Sequence, residues 1–504
     1  MSDRAQRRWI RSAGAALLAS AVFSSGCLVG PNYARPAAPQ VDGYLPPTPS
    51  VSVPETPADA AQRVALGQQI PAQWWELFHD PRLDEILRQA IAANHNLAAA
   101  RATLAEAREA VIEARSAFYP QVDLQAGIRR GMPVGGSVAN LFTFSPTVSY
   151  SVDAFGGTRR RVEQVEALAE SQRDQLAAAY LILTGSSVTE AITIAATRFQ
   201  ISTVEDLIKN DQKNLDLVQR AFDAGRVART DVLTAAAQLE ADRTQLPALY
   251  QQLSAARHAL AVLTGQAPGQ WSPPDFDIDE FTLPETLPVS LPSELVRQRP
   301  DILAAASLLH ADSAAIGVAT AQMYPSITIS TSLIQEAATL ASLFKSASRA
   351  WDVGIGADAP IFHGGALAAQ RRAAIDAYDA GLATYEQTVL TAFGQVADAL
   401  TAIEHDGQMV MASKRAVDIA GSSVALQRSS YASGRTSALQ LIIAEDTYSN
   451  VRQGYVRAIG QRLADTAQLF IAVGGGWWSE SGAIGEAPIA PLTLPSPPSG
   501  GRGE

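Results

Sequence analysis

Cys27, the single cysteine of the chain, is the residue most able to undergo a covalent modification. It follows a basic N-terminal stretch with four arginines and an apolar run over residues 13–23. This order is typical of a bacterial export signal, and a run of about eleven residues is too short to span a bilayer as a helix. A lone thiol in an exported protein has no partner in its own chain, so Cys27 pairs with another molecule, stays free or is modified.

The six histidines do not form a pattern that suits metal chemistry. They are scattered, with no HExxH spacing and no cysteine partner, so the sequence predicts no metal site and no cofactor. It also contains no Gly-x-Ser-x-Gly elbow and no GxxxxGK[ST] phosphate loop. These observations favour a protein that is not an enzyme.

The net charge and the composition limit the kinds of partner that the chain can bind. The net charge of −11 argues against nucleic acid, because a nucleic-acid-binding face must be basic. The hydrophobic content of 47% over 504 residues is enough for a large core.

Four segments alternate apolar and polar residues at the two-residue period of a β-strand. Residues 121–129 and 142–152 flank a glycine-rich hairpin segment, and two further segments begin at Ser326 and Trp351. Segments of about ten residues with one apolar face are typical of transmembrane barrel strands, although a half-buried soluble sheet alternates in the same way. Four strands are too few to close a barrel, and an open edge in lipid leaves backbone groups unsatisfied. A barrel would therefore be shared between chains.

Three aspartates, Asp123, Asp153 and Asp358, fall near the strand ends that join the helices, on the polar face of the alternation. In a shared barrel they would form an acidic zone in the lumen that favours cations over anions. Simple solvation of a polar wall is the alternative interpretation.

Apolar residues at seven-residue spacing predict long helices packed as coiled coils. No proline interrupts residues 147–246 or 361–487, and residues 158–224 could form one helix of about 100 Å. Pro247 lies inside one seam and predicts a kink. The four seams are Leu83, Ala90, Leu97, Leu104, Val111 and Phe118; Val232, Leu239, Leu246, Leu253 and Leu260; Leu295, Ile302, Leu309, Ile316 and Met323; and Ile375, Leu382, Val389, Val396, Ile403 and Val410.

The whole pattern occurs twice, with three pairs of landmarks roughly 205 to 209 residues apart, which indicates an internal tandem duplication. The predicted fold is mixed α+β, in five parts: a signal peptide (1–26), an extended leader (27–73), two repeats (74–285 and 286–480) and a disordered tail (481–504). Each repeat is predicted to contain a helix, a strand pair (121–154 or 325–360) and a helical hairpin (158–264 or 366–473).

Several motifs resemble the TolC family of outer-membrane efflux factors, and most closely its lipoprotein branch, which serves multidrug pumps of the RND type. The motifs are residues 30–36 (GPNYARP), 74–78 (WWELF), 94–97 (NHNL), 299–302 (RPDI) and 360–365 (PIFHGG). The sequence before Cys27 also resembles a lipobox, with Ser24 where leucine is usual, and no aspartate follows the cysteine. The resemblance implies that Cys27 carries lipid and that the chain is anchored in the outer membrane.

The resemblance further implies a homotrimer whose three sets of four strands close one twelve-stranded barrel above a periplasmic helical barrel. Its partners would be a periplasmic adaptor protein and an inner-membrane transporter that delivers drugs or other small toxic compounds. The two hairpin tips, at 225–231 and 434–441, would form the closed gate and the adaptor contact. The candidate tip residues are Gly225, Arg226, Arg229, Asp231, Gly434, Arg435 and Thr436.

Solvated turn residues are the alternative at these tips. An acidic gate residue of the lipoprotein branch corresponds to Ile443 here, with Glu445 and Asp446 nearby. Two other functions stay open at this point: the outer-membrane duct of a protein secretion system, and a surface-anchored coiled-coil lipoprotein that conducts nothing.

Overall fold

The structure is a computed structural model that describes residues 28–39, 41, 43–45, 62–132 and 138–477. The chain divides into two compact units. Of the described residues, the sheet unit contains those of 28–37, 102–174 and 303–387, and the hairpin unit contains those of 38–101, 175–302 and 388–477. Each unit takes corresponding segments from both repeats, so neither repeat is a compact body by itself.

The described residues form nine α-helices and six β-strands. The helices are α1 (Pro81–Ala93), α2 (His95–Ser116), α3 (Gly157–Asp223), α4 (Arg229–Arg243), α5 (Gln245–Leu263), α6 (Pro292–Gln298), α7 (Pro300–Ala321), α8 (Ala366–Ala432) and α9 (Ala438–Ala472). The strands are β1 (Arg63–Leu66), β2 (Gln121–Gly131), β3 (Ala139–Val152), β4 (Thr286–Val289), β5 (Ser326–Ala337) and β6 (Arg349–Asp358).

The duplication is visible in the lengths of these elements. Helices α2 and α7 both have 22 residues, and α3 and α8 both have 67 residues. The second strand pair begins at Ser326, and the first begins at Gln121. The fold class predicted from the alternation and the heptads, a mixed α+β fold with an internal duplication, is confirmed.

The sheet unit contains an antiparallel sheet in the order β2-β3-β5-β6. Its register places the predicted apolar residues of neighbouring strands on one face; Tyr150, Ile329 and Ile355, for example, lie in one cross-strand row. Much of this apolar face is exposed in the single chain, with Ile128 at 74% and Ile355 at 75%. Such a face needs lipid or another apolar surface to cover it.

The helices of the sheet unit pack through small side chains. Val111 of α2 lies fully buried with Val165 and Ala169 of α3, and alanines of α2 fill the space around them. Small residues let helices approach closely. Helices α3 and α7 each contain a stretch apolar enough to cross a bilayer by length and composition, but 61% and 50% of those stretches is buried within the chain.

An aromatic cluster forms the core of the hairpin unit near the ends of its helices. Trp74 and Phe78, both fully buried, pack against Phe470 of α9 with ring centroids 5.5 and 6.5 Å away. Arg299, within the predicted RPDI motif, donates a hydrogen bond of 2.7 Å to the carbonyl of Ala472, the last residue of α9. This bond satisfies one of the carbonyls that a helix end leaves without a partner.

The kink predicted at Pro247 corresponds to a break between two helices. Helix α4 ends at Arg243 and α5 begins at Gln245, with Thr244 between them. Pro247 has no N–H to donate to the carbonyl of Arg243, and its ring would clash with that carbonyl in a continuous helix.

Candidate channel and gate surfaces

The polar face of the sheet carries two of the three predicted pore aspartates. Asp123 of β2 pairs with Thr147, which pairs with Ser332, which in turn pairs with Asp352 of β6. Asp123 and Asp352 therefore lie in one cross-strand row, and the hydroxyl of Ser332 donates a hydrogen bond to Asp352. Asp358 pairs with Ser326 where the strands join the helices. Sequence reasoning placed Asp352 on this face but did not select it as a pore residue.

Asp153, the third predicted pore aspartate, is engaged in a helix cap. Its carboxylate accepts hydrogen bonds from the backbone N–H groups of Thr158 (2.9 Å) and Arg159 (3.1 Å) at the start of α3. The Arg159 side chain also pairs with it at 3.0 Å. A carboxylate at a helix N-terminus satisfies orphan donors and interacts favourably with the helix dipole. Much of the charge of Asp153 is thus compensated locally.

A cavity of about 710 Å³ lies in the sheet unit where the strands meet the helices. Asp153 and Asp358 both line it, together with Glu113, Arg161 and His363, whereas Asp123 does not. The structure therefore brings two of the three predicted aspartates to one site and leaves the third on the sheet. Side chains that can carry charge of either sign line the cavity, so it is not purely acidic.

The two hairpin tips have the same backbone geometry. Gly225 adopts φ 71° and Gly434 adopts φ 70°, in the left-handed region that glycine enters without strain. At each tip the glycine N–H donates a hydrogen bond to the backbone carbonyl three residues earlier. The N–H of the following arginine donates to the carbonyl five residues earlier. Both bonds measure 2.8 Å in the first tip and 2.9 Å in the second. This pair of hydrogen bonds is a Schellman motif, and it ends α3 and α8 in the same way.

The return helices are capped differently at the two tips. In the first tip the N–H of Ala228 donates to the carboxylate of Asp231 at 3.0 Å. In the second tip the hydroxyl of Ser437 accepts from the N–H of Gln440 at 3.4 Å. These are the two complementary halves of a capping box, one used in each repeat. Asp231 therefore has a structural task in addition to any role as a surface charge.

The other predicted tip residues lie at the surface. Arg226, Arg229 and Arg435 are exposed, and Thr436 is half-buried. The guanidinium of Arg229 lies 5.7 Å from the ring centroid of Phe222 in a cation–π contact. Behind the tips, a buried cluster of Val218, Val232, Ala235 and Ile442 joins α3, α4 and α9. The tips are thus positioned by a packed apolar base.

The predicted gate position and its acidic neighbours point in different directions. Ile443 is 55% exposed, whereas Glu445 is 4% exposed. Glu445 accepts hydrogen bonds from Arg428 of α8, at 2.9 Å from Nε, and from the side-chain amide of Asn214 of α3. Glu445 therefore ties three helices together, and an exposed apolar side chain occupies the position where the resemblance implies an acid.

A buried pair of carboxyls, which sequence reasoning missed, lies close to Glu445. Asp211 of α3 and Asp242 of α4 are each 3% exposed, and the two carboxyls lie within hydrogen-bonding reach of one another when one of them holds a proton. Burial, followed by the hydrogen bond to Asp242 and the charges of Asp242, Glu445 and Asp446, raises the pKa of Asp211 to about 8. Burial and the charge of Asp242 also raise the pKa of Asp446. Two carboxyls in this environment share one proton at neutral pH.

The second hairpin contains a similar pair at a different level. Burial, followed by a hydrogen bond to Asp465 of α9 and the charge of that residue, raises the pKa of Asp406 of α8 to about 7, and the nearby Arg462 opposes the shift. Each hairpin thus has one carboxyl pair that connects its outgoing and returning helices.

A sequence signal for the first pair was present. Asp211 lies seven residues from both Val204 and Val218, which are buried, and Asp242 lies seven residues after buried Ala235. A charged residue at a core heptad position marks a buried polar site. Cys27, the predicted lipid attachment site, lies outside the described residues.

Comparison with known families gives two matches along the chain. Residues 86–266 and 291–475 each match the family described as Outer membrane efflux protein. The matches fall on the first and second repeats and together cover well over half of the chain.

Individual relatives agree with the family match. The chain is 28% identical over 476 residues to the probable efflux pump outer membrane protein TtgC of Pseudomonas putida, with 92% of this chain and 96% of that protein covered. It is 26% identical over 456 residues to the probable outer membrane lipoprotein SilC of Salmonella typhimurium, which covers 90% of this chain and 96% of that protein. The solved structure of the outer-membrane channel OprN matches with a TM-score of 0.81 and 28% identity, over 90% of this chain and 100% of that one.

Proposed function

The chain belongs to the outer membrane efflux protein family, and from that premise we propose that it is the passive exit duct of a tripartite efflux system for drugs or other small toxic compounds. The family is one of efflux channels, which are not enzymes. The sheet with one apolar and one polar face, together with the long helical hairpins, supports a conduit across the outer membrane.

The exposed edges of the sheet support a homotrimer. Strands β2 and β6 are the edges of the four-stranded sheet, and along their outer sides no partner strand is present among the described residues. In lipid such edges leave several backbone groups unsatisfied, each at a cost of several kcal/mol. Pairing β6 of one chain with β2 of the next in three copies closes a barrel with no edge. The two edge strands without partners, β2 and β6, are the observation that carries the proposal.

The tips support an adaptor contact. Both tips end in a Schellman turn with an exposed arginine, Arg226 or Arg435. Since the apolar base fixes the backbone of these turns, their side chains form a preorganised surface for a periplasmic adaptor protein. An inner-membrane transporter in the same assembly would deliver the cargo. The unlike caps after the two turns give the six tips of a trimer two alternating surfaces.

We assign Cys27 as the lipid attachment site on the basis of its position after the export signal and the name of the lipoprotein relative SilC. For the pore, Asp123 and Asp358 are the acidic residues that would favour cations. Single-channel recordings of Asp123→Asn and Asp358→Asn should show reduced cation preference, with Asp153→Asn changed less because Arg159 already neutralises it. Unchanged selectivity in the first two variants would reject a role in selectivity.

Tip crosslinking tests the tripartite assembly. When Cys27 is acylated its thiol is blocked, so a cysteine introduced by Arg226→Cys or Thr436→Cys is the free thiol of the chain. These variants should capture a periplasmic adaptor in cells, and Ile355→Cys, on the apolar face of the sheet, should not. Equal capture by all three variants, or capture of no periplasmic protein, contradicts the assembly. Drug sensitivity of a host that lacks its own channel, with and without this chain, then tests the cargo class.

A further inference from the structure

Residues 28–33, which follow Cys27 directly, make a set of contacts with the rest of the sheet unit that we name the leader clasp. The N–H of Val29 donates to the carbonyl of Phe155 at 3.2 Å, three residues after β3 ends. Leu28 lies against Gly156, where a Cβ would come within 2.4 Å of the Leu28 side chain. The leader therefore meets the chain at the point where the sheet passes into helix α3.

Arg160, in the first turn of α3, supplies most of the polar contacts of the leader clasp. Its side chain is 2% exposed. Nε donates to the carbonyl of Val29 at 3.2 Å, and one terminal nitrogen donates to the Asn32 side chain at 2.7 Å and to the carbonyl of Gly30 at 3.4 Å. The other terminal nitrogen pairs with Glu163 at 2.7 Å. Three of the four acceptors of this buried guanidinium are leader atoms.

Two glycines allow the leader to reach this position. Gly30 adopts φ 88°, and a Cβ on it would lie 2.5 Å from Cα of Gly317 on helix α7. A Cβ on Gly317 would lie 2.7 Å from the side chain of Arg160. Leader, helix and arginine are therefore in backbone-level contact, at distances that larger residues exclude.

Aromatic stacking closes the far end of the leader clasp. The ring of Tyr33 stacks on His310 with centroids 4.4 Å apart, and its hydroxyl donates to the carbonyl of Ala306 at 3.1 Å. His310 in turn lies 3.0 Å from Glu163, the acid that also pairs with Arg160. One carboxylate thus connects the arginine end of the clasp with the aromatic end.

Apolar burial does not explain this arrangement. Leu28 remains 41% exposed, so the start of the leader adds little to a core. A buried guanidinium is costly unless its donors are satisfied, and without the leader Arg160 would keep only Glu163 among its four acceptors. The site is therefore complete only when the leader is docked.

We propose that Arg160 is a positioning residue that fixes the N-terminus of the mature chain beside the strand ends, so that lipid on Cys27 enters the membrane next to the strands and promotes their insertion. This inference rests on the proposed attachment of lipid to Cys27. Leu28, the first described residue of the leader, is held at Gly156, and Cys27 precedes it directly in the sequence.

A double-mutant cycle tests this role. Full-length wild type, Arg160→Met, Cys27→Ser and the double variant are refolded into vesicles of phosphatidylethanolamine and phosphatidylglycerol, and the initial rate at which heat-resistant oligomers appear is measured. The control is Arg161→Met, which removes an exposed arginine one residue further along and has no contact with the leader among the described residues. If Arg160 acts through the lipid, Arg160→Met slows assembly several-fold in the acylated chain and changes little in the Cys27→Ser background.

Hydrogen exchange measures the leader clasp itself. In Arg160→Met, the amide of Val29, which donates to the carbonyl of Phe155, should exchange about tenfold faster or more, because losing a hydrogen bond from a charged group to the leader costs at least that factor. Amides of α9 should be unchanged. Asn32→Ala, which removes one leader acceptor and leaves the arginine in place, should give a smaller change of the same kind and keeps the test available if Arg160→Met does not fold.

The outcomes separate the inference from the proposed function. Equal slowing by Arg160→Met with and without Cys27, or no slowing at all, overturns the positioning role. An intact mass of the wild type without acyl chains shows that the lipid assignment is wrong, while an unprotected Val29 amide in an acylated wild type shows that the leader clasp is wrong.

Discussion

Replacing Asp211 with asparagine tests whether the buried carboxyl pair shares a proton. The pKa of Asp211 is raised from 3.8 to about 8 in the folded chain. A raised carboxyl pKa means that the folded state binds the proton more tightly, so the contribution of Asp211 to stability is fully present below pH 3.8 and is lost as the pH rises towards 8. At pH 7 the loss amounts to roughly 4 kcal/mol for a group of this pKa, at about 1.4 kcal/mol per pH unit.

Asparagine supplies a permanent donor to Asp242 in place of the shared proton. We therefore expect Asp211→Asn to be more stable than the wild type above neutral pH and less dependent on pH. The melting midpoint, followed by helical circular dichroism between pH 5 and 9, should rise by several degrees relative to the wild type at pH 8 and by a clearly smaller amount at pH 5.

The control for this experiment is Asp216→Asn, an equal change of charge at an exposed position of the same helix. It should follow the wild type at every pH. Asp406→Asn should remove a separate part of the slope that ends near pH 7, and the double variant with Asp211→Asn should depend on pH less than either single variant. Wild-type and Asp211→Asn curves that fall in parallel from pH 5 to 8 would refute the shared proton.

Three further predictions concern the tips, the gate and the end of helix α9. Gly225→Ala and Gly434→Ala should each lower the free energy of unfolding by about 1 kcal/mol, because each adds strain at positive φ. The control Gly394→Ala, in open space within α8, should raise it by up to about 1 kcal/mol. Urea unfolding midpoints compare the three variants. Glu445→Gln should weaken the connection to α8 by about 1 kcal/mol and raise the open-to-closed ratio of single channels about fivefold, and an unchanged open fraction would remove Glu445 from gating. Arg299→Met should lower the free energy of unfolding by about 2 kcal/mol, because it leaves the last carbonyl of α9 without its donor, and an unchanged urea midpoint would contradict that role.

Most of the architecture follows from periodicity and is therefore written locally in the sequence. The two-residue alternation identified all four strands of the sheet, and the structure lengthened them by a few residues, as in β2 and β5. The heptad seams identified the long helices, and the Gly-Arg pairs at residues 225–226 and 434–435, among the candidate tip residues, fall at both turns. These predictions needed only neighbours within one or two turns of chain, where side-chain spacing and backbone preference decide the structure.

The sequence by itself did not determine what each polar residue does, because that depends on partners far away in the chain. Asp153 and Asp123 both follow the polar pattern, but only the fold shows that Asp153 caps α3. Glu445 and Asp446 are adjacent, and the rotation of α9 against α3 and α8 decides that Glu445 faces inward. A heptad pattern fixes the apolar stripe but not the exact rotation of a helix, since 3.6 residues per turn drift against a repeat of seven. The pairing of Asp211 with Asp242 and the docking of the leader on Arg160 depend on that rotation and on the register between distant segments, so only the tertiary structure decided them.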